Sequence, residues 1–383
     1  MSPSVLSTPS TLAPWEAQVG AIRVRFGSGR LAEIGELVRS HGARSVFLVT
    51  DPGVAAAGHP ARAVAALEAA GVAVRQFSAV GENPTTATID AATEIARAGA
   101  VDLLIGLGGG SALDTAKGVN FLLTQGGSME DYWGYGKGTK PFLPSVGVPT
   151  TAGTGSEAQS YALVSQVETH RKMACGDAGV RFRDVILDPE LVVTAPRRVI
   201  ALTALDALSH SVESFVSTRR NPVSELFAAE AWRRLSGAFE AGLEEPGDVA
   251  PRGELLLGAH LAGAAIEASM LGAAHALANP LTAAFGVVHG AAVAVMLPAV
   301  VRWNAVEVES LYRELEPGGG EAVARRLEDF RRLGGLPERL ADLGLPQEAL
   351  PELAADATRE WTGTFNPRPL TEADFLRLYE AAY

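Results

Sequence analysis

The chain has almost no cysteine. Cys175 is the only one in 383 residues, which excludes an intrachain disulfide and a thiolate metal cluster and fits a reducing compartment. Positive charge is also scarce: 32 Lys and Arg stand against 44 Asp and Glu, a formal net charge of −12. Broad nucleic-acid binding and adhesion to anionic membranes both need a basic face, so neither is expected. Aromatic residues make up only 6% of the chain. Trp133, Tyr135, Tyr161, Trp361 and Phe365 are either pocket lining or plain packing. No repeat of fixed period is visible. Residues 1–14 lack a basic start and an apolar core, so a flexible tail is expected there rather than a signal peptide, with the cytoplasm as the compartment. The longest gap is in charge itself: from Ala268 to Val301 there is no Asp, Glu, Lys or Arg.

Such a run is long enough to cross a membrane. Pro280, Gly286 and Pro298 are expected to interrupt it, however, and His275, Asn279 and His289 would be costly in lipid. Two or three helices buried in a soluble domain are expected instead. A buried imidazole needs a partner, because an unpaired polar group in an apolar setting costs about 1–3 kcal/mol. Two imidazoles in one uncharged run point to a shared partner, and a metal ion is the economical one. The bland alternative is two separate core histidines, each bonded to a carbonyl. Upstream, Asp206 and His210 are four apart, which puts them on one helix face. Three imidazoles and one carboxylate suit Fe(II) or Zn(II) and leave room for a substrate oxygen. His41, His59 and His170 read as surface or loop residues, and His260 as a helix residue of no evident role.

The first half alternates in texture. Residues 45–50, 72–80, 101–107, 145–150 and 185–191 read as strands, with helices over 61–72 and 85–98. That alternation predicts a parallel sheet covered by helices. The strand ending at Leu107 runs into Gly108-Gly109-Gly110-Ser111 and then a helix. Glycines let a phosphate approach closely, and a helix start offers it free N–H groups. Ser111 with Asp114 predicts a capping box. The usual G-x-G-x-x-G is missing, as is the Lys-Ser/Thr pair of a P-loop. Asp51 ends the first strand, where it suits a ribose diol and hence NAD, or simply caps the Asp-Pro-Gly turn. Thr150, Thr151 and Thr154 follow another strand among glycines. Lys172 is either a cation beside the cofactor or ordinary solvated surface. After Pro196 only helical periodicity remains. The expected division is a tail at 1–14, an α/β dinucleotide-binding domain at 15–195 and an all-α metal-binding domain at 196–383.

Several of these stretches occur in one order. GGGSALDTAK at 108–117, PTTAGTGSE at 149–157, Asp206-x-x-x-His210, and GAAHALANPL followed by VVHGAAVAVMLP resemble the iron-containing (group III) alcohol dehydrogenases. The resemblance runs over about residues 15–383. It implies a dehydroquinate synthase-like two-domain architecture and metal-dependent hydride transfer between NAD(H) and an alcohol–aldehyde or ketone pair. It implies one divalent metal, Fe(II) ahead of Zn(II), a small-molecule substrate, and a homodimer or larger homo-oligomer. The metal ligands then fall on Asp206, His210, His275 and His289. The cofactor residues fall on Asp51, Gly108, Gly109, Gly110, Ser111, Asp114, Thr150, Thr151, Thr154 and Lys172. One position departs from the pattern. Many members carry a second His, a proposed proton relay, where this chain has Asn279, and an amide is neither acid nor base near neutral pH. The runners-up are a maleylacetate reductase, which generally lacks the acidic ligand, and a dehydroquinate synthase-like lyase. The lyase would need a Lys/Arg cluster that residues 258–301 lack. A non-catalytic sensor has no added domain to support it.

Overall fold

The computed structural model describes residues 13–169, 171–245 and 247–383. The tail expected at 1–14 therefore lies almost wholly outside the described residues, as does His170. A hairpin comes first, β1 (Trp15–Val19) with β2 (Ile22–Phe26). Then follow β3 (Ser45–Val49), β4 (Ala73–Phe77), β5 (Leu103–Gly108), β6 (Gly134–Tyr135), β7 (Ser145–Pro149), β8 (Tyr161–Ser165), β9 (Lys172–Gly176) and β10 (Asp184–Leu187). Seven of them form one sheet in the order β1-β2-β10-β7-β5-β3-β4. Every pairing in it except β1 with β2 is parallel. β5 and β7 are buried at every residue, so they read as unbroken apolar or small-residue runs rather than alternating ones.

The five strands expected from sequence all form, but β4 is shorter than its predicted 72–80, and β10 stops at Leu187, where Asp188 caps a short helix Pro189–Val192 inside the predicted 185–191. The hairpin and the small sheet β6-β9-β8 were not anticipated. The alternation in IRVRF, buried at every second residue, was a readable signal for β2. The helix over 85–98 forms as Thr86–Arg97, with the Thr85 hydroxyl accepting from the Thr88 N–H. The other helix spans His59–Ala69 and is followed by Gly71 at φ 73°.

Beyond β10 the described residues contain no strand. The uncharged run breaks as expected, but not at its prolines. Pro280 and Pro298 sit inside the helices Ala273–Phe285 and His289–Leu315. The breaks fall instead at residues 269–272, where the chain turns by 104° from the helix Val249–Ala268, and at Gly286, which is left-handed at φ 65°. The helices Arg197–Val216 and His289–Leu315 are long and apolar enough to cross a membrane, yet 89% and 61% of their most apolar windows are buried against other parts of the chain. Their hydrophobic surface is already consumed by protein neighbours.

One hydrophobic core runs through both halves, joining Phe47 and Leu113 beneath the sheet to Leu205, Val293 and Tyr379 among the helices. A second cluster, including Leu37, Val46, Ile105 and Val148, fills the other face of the sheet. The halves also touch through backbone. A Cβ on Gly263 would stand 2.6 Å from the Gly155 carbonyl oxygen, so only glycine lets the helix Val249–Ala268 lie on the turn after β7. Beside that contact the fully buried His260 Nδ1 is 3.2 Å from Glu157 Oε1, which gives His260 a role in joining the halves. His41 and His59 are likewise not free surface residues. His41 Nε2 lies 2.7 Å from Asp184 Oδ2, and the buried His59 Nε2 lies 2.8 Å from Thr194 Oγ1. Both partners are more than 130 positions away in sequence, which is why local reading missed them.

Candidate metal and dinucleotide site

The helix Arg197–Val216 carries Asp206 and His210 one turn apart. His275 opens the helix Ala273–Phe285 and His289 opens the helix His289–Leu315. All four side chains converge. Asp206 Oδ1 is 3.5 Å from His210 Nε2, 3.8 Å from His275 Nε2 and 3.8 Å from His289 Nε2. Donor atoms of Asp206, His210 and His275 lie within 4.8 Å of one another. Two ligands each about 2.1 Å from one ion in tetrahedral geometry are about 3.4 Å apart, so this spacing fits a shared cation. Asp206 Oδ1 and His275 Nε2 are buried and have no hydrogen-bond partner. Orphaned acceptors of this kind are rare in folded proteins and need an explanation, and a metal ion supplies one.

The electrostatics favour the ligand forms. Burial pushes the Asp206 carboxyl up, but the imidazoles around it and the Lys172 ammonium outweigh this and hold it below the usual range. Burial, reinforced by Lys172, drops His289 to about 3, and burial lowers His210. Both imidazoles are therefore neutral near pH 7, with lone pairs to donate. For His275 burial also lowers, but the Glu213 carboxylate wins and the net shift is upward. Glu213 Oε2 lies 2.5 Å from His275 Nδ1, and Oε1 accepts from the Ala274 N–H at 2.6 Å. Sequence reasoning missed Glu213. The signal was present: it follows Asp206 by seven residues, close to two helical turns, and so shares its face.

The glycine turn lies at the end of β5. The helix Gly110–Thr124 starts at the Gly109 N-cap without a side-chain cap. The predicted capping box therefore does not form. Ser111 Oγ instead accepts from the Asn83 N–H, and Asp114 turns inward to accept from the Leu163 N–H and to pair with the buried Lys117. Lys117 also donates to the carbonyls of Ser156 and Tyr161, so this pair fixes the sheet's flank. An uncapped helix start is what an anion needs, because the first N–H groups stay free. Gly108 and Gly110 leave no room for a side chain in the cradle, whereas Gly109 would tolerate a Cβ. Gly108 is at φ 156°, and a Cβ there would lie 2.7 Å from Ala112 Cβ and 3.0 Å from Asp51 Oδ2. A Cβ on Gly110 would meet Thr154 at 2.8 Å, and one on Gly109 would meet Thr151 at 3.5 Å. The Thr150 N–H donates to the Gly108 carbonyl at 3.0 Å. Asp51 Oδ1 caps the helix Pro52–Ala56 through the Val54 N–H, as the turn reading expects, and its Oδ2 lies beside Gly108.

A cleft of about 1270 Å³ has Lys172, His275, Asn279 and His289 among its lining residues. Burial lowers Lys172, partly offset by Asp114, Asp206, Glu360 and Glu82. Asn279 donates to Glu360 Oε2 at 2.7 Å, a carboxylate that sequence reasoning also missed because it is remote in the chain. Trp133, Tyr135, Tyr161 and Trp361 line the cleft, and Phe365 packs edge-on against Trp361.

A metal-ready ligand set on buried helices, together with a glycine turn at the end of a parallel sheet, defines a dinucleotide- and metal-dependent oxidoreductase. The chain belongs to the iron-containing alcohol dehydrogenase family. The model of that family matches residues 21–189, and that of the Fe-containing alcohol dehydrogenase C-terminal family matches residues 200–383. Long-chain-alcohol dehydrogenase 1 of Geobacillus thermodenitrificans is 34% identical, covering 93% of this chain and 94% of its own. Alcohol dehydrogenase 4 of Schizosaccharomyces pombe is 30% identical over 93% of this chain and 86% of its own. Among solved structures, the alcohol dehydrogenase from Oenococcus oeni superposes with a TM-score of 0.92 at 26% identity, covering 97% of this chain and 100% of that one. Sulfoacetaldehyde reductase from Bifidobacterium kashiwanohense, solved in complex with NAD+, gives 0.87 at 27% identity over 96% and 98%. The protein is accordingly an NAD-dependent, metal-containing oxidoreductase acting on a small alcohol–aldehyde pair.

Proposed function

We propose that Asp206, His210, His275 and His289 hold one divalent metal, Fe(II) ahead of Zn(II), and that the turn at Gly108, Gly109, Gly110 and Ser111 seats the NAD pyrophosphate. When bound, the metal supplies Lewis acidity at the substrate oxygen and NAD supplies the hydride acceptor. The residues do the rest. Asp206 and the three imidazoles set the place of the reacting oxygen, and Glu213 fixes the His275 tautomer so that Nε2 faces the cation. Thr150, Thr151 and Thr154 line the cofactor's path along the glycine turn, and Asp51 Oδ2 favours a ribose diol over a 2′-phosphate. Lys172 adds positive charge beside the reacting centre. Asp114 serves this site indirectly, by anchoring β8 and Lys117 behind the turn. Asn279 holds Glu360 in the cleft and is a positioning residue. A division near residue 196, an assembly of two or more chains, and a cytoplasmic setting belong to the same reading.

The observation that carries it is the convergence of three imidazole Nε2 atoms on the orphaned Asp206 Oδ1. Asp206 argues against a maleylacetate reductase, and residues 258–301, which carry His275 and His289, contain no Lys or Arg to favour a lyase. The test is metal analysis of purified protein together with aldehyde-dependent NADH oxidation. Near-stoichiometric iron or zinc and turnover are expected, with His275→Ala losing both while NADH still binds. Full turnover in a folded, metal-free His275→Ala protein would end the reading.

A further inference from the structure

The notable feature of the cleft is its wall. Tyr135 of β6 lies 5.4 Å from Tyr161 of β8, with the rings tilted by 46°. Tyr161 lies 6.2 Å from Trp361 at a tilt of 42°, and Trp361 meets Phe365 edge-on at 5.7 Å. Four rings thus form a continuous curved surface. It is built from the small sheet of the α/β half and from the segment Trp361–Phe365 of the helical half. In a chain with only 6% aromatics this is a concentration, not background. The rings are also not spent on the core. Tyr135 is 51% exposed and Trp361 43% exposed, although both line the same cleft as His275 and His289. Soluble proteins bury large aromatic surface unless something else is to cover it. Tilted rings at this spacing present faces and edges to a guest, and a flat π-system pairs with both in offset-stacked or edge-to-face contact.

The geometry points to an aromatic alcohol–aldehyde pair as the substrate class, with the ring seated against Tyr135, Tyr161 and Trp361 and the reacting carbon directed to the metal ligands. This rests on the cleft being the hydride-transfer site. The cleft volume of about 1270 Å³ leaves ample space for a ring as well as the nicotinamide end of the cofactor. In the reduction direction the hydride from NADH forms the new C–H bond, the carbonyl π pair becomes the alkoxide, and a solvent proton completes the alcohol. An aryl group held two carbons away takes no part in those bonds. It acts only through binding, so its effect is separable from intrinsic reactivity.

The test compares 3-phenylpropanal with 3-cyclohexylpropanal, which have the same carbon skeleton and an unconjugated carbonyl but differ in π character. The wild-type protein is expected to show kcat/KM about 2- to 13-fold higher for the phenyl compound, the ratio to which a ring-pair contribution of about 0.5–1.5 kcal/mol beyond area burial corresponds. Trp361→Leu keeps an apolar side chain at an exposed position, so the fold is retained, and should bring that ratio close to one. Trp361→Phe should restore it. A wild-type ratio of one or less, or a ratio untouched by Trp361→Leu, overturns the proposal while leaving the oxidoreductase reading intact. NADH binding without oxidation by either aldehyde, or by propanal, would instead remove the reading on which the proposal stands.

Discussion

Single atoms decide the site. Glu213 shows how: its two oxygens hold His275 Nδ1 and the Ala274 N–H, so one buried carboxylate orients the ligand and pins the helix that bears it. The upward shift of His275 makes it the first of the three imidazoles to take a proton as pH falls, because His210 and His289 are lowered. A protonated imidazole cannot ligate, so metal uptake by the stripped protein should weaken as pH drops below neutrality. Glu213→Gln should move that threshold to lower pH, since the raising charge is gone. At pH 8 it should weaken metal binding by about 10–100-fold, the usual cost of losing a supporting partner. An unchanged threshold in metal titrations would count against this account. At the other end of the cleft Asp51 has two separable duties. Asp51→Ser retains a capping oxygen for the Val54 N–H but removes the charge beside Gly108. Stability should change by less than about 1 kcal/mol while the kcat/KM preference for NAD over NADP narrows. The same preference in wild type and variant would deny Asp51 its place at the ribose.

At the level of elements, two contacts hold the helix Val249–Ala268, which leads into the helix of His275, on the turn after β7. Gly263 lies on the Gly155 backbone, and His260 reaches Glu157 a residue pair away. Gly263→Ala puts a methyl carbon 2.6 Å from a carbonyl oxygen that belongs to backbone, so an element must shift. A loss of about 1–3 kcal/mol is expected from overpacking, read by urea unfolding, together with weaker NADH binding as the cleft is pried open. Wild-type stability in this variant would mean that the contact is looser than it stands. The same scale shows what sequence periodicity can and cannot give. The Asp206–His210 spacing, the glycine turn after β5 and the helical texture after Pro196 were all legible, because each is local: two are helical spacings and the third is a consecutive run of one residue type. The capping box at Ser111 and Asp114 was misread. Its residue types were right, but Lys117 and Leu163 claim Asp114 from elsewhere, and a helix start that receives an anion is better left uncapped.

For the whole molecule, the proposed ion would tie together three helices that begin or turn at different points of the chain, so removing it should cost folding free energy. Chelation with EDTA should lower the melting temperature, and returning Fe(II) or Zn(II) at about a hundred times its dissociation constant should restore about 2.7 kcal/mol. NADH should add a further increment in the metal-loaded protein. A melting curve indifferent to chelation, with metal loss verified, would show that the four side chains stand in place unaided. The sequence by itself determined the alternation of five strands with helices in the first half, the glycine turn, and the identity of the four side chains that converge. These depend on residue type and short spacing, which the chain carries in the open. The tertiary structure alone decided that Asp206 Oδ1 is the meeting point, that Glu213 and Glu360 stand behind His275 and Asn279, and that sparse aromatics gather into one wall. Those outcomes depend on contacts between residues scores or hundreds of positions apart, and such distances close only when the helices pack around a shared core.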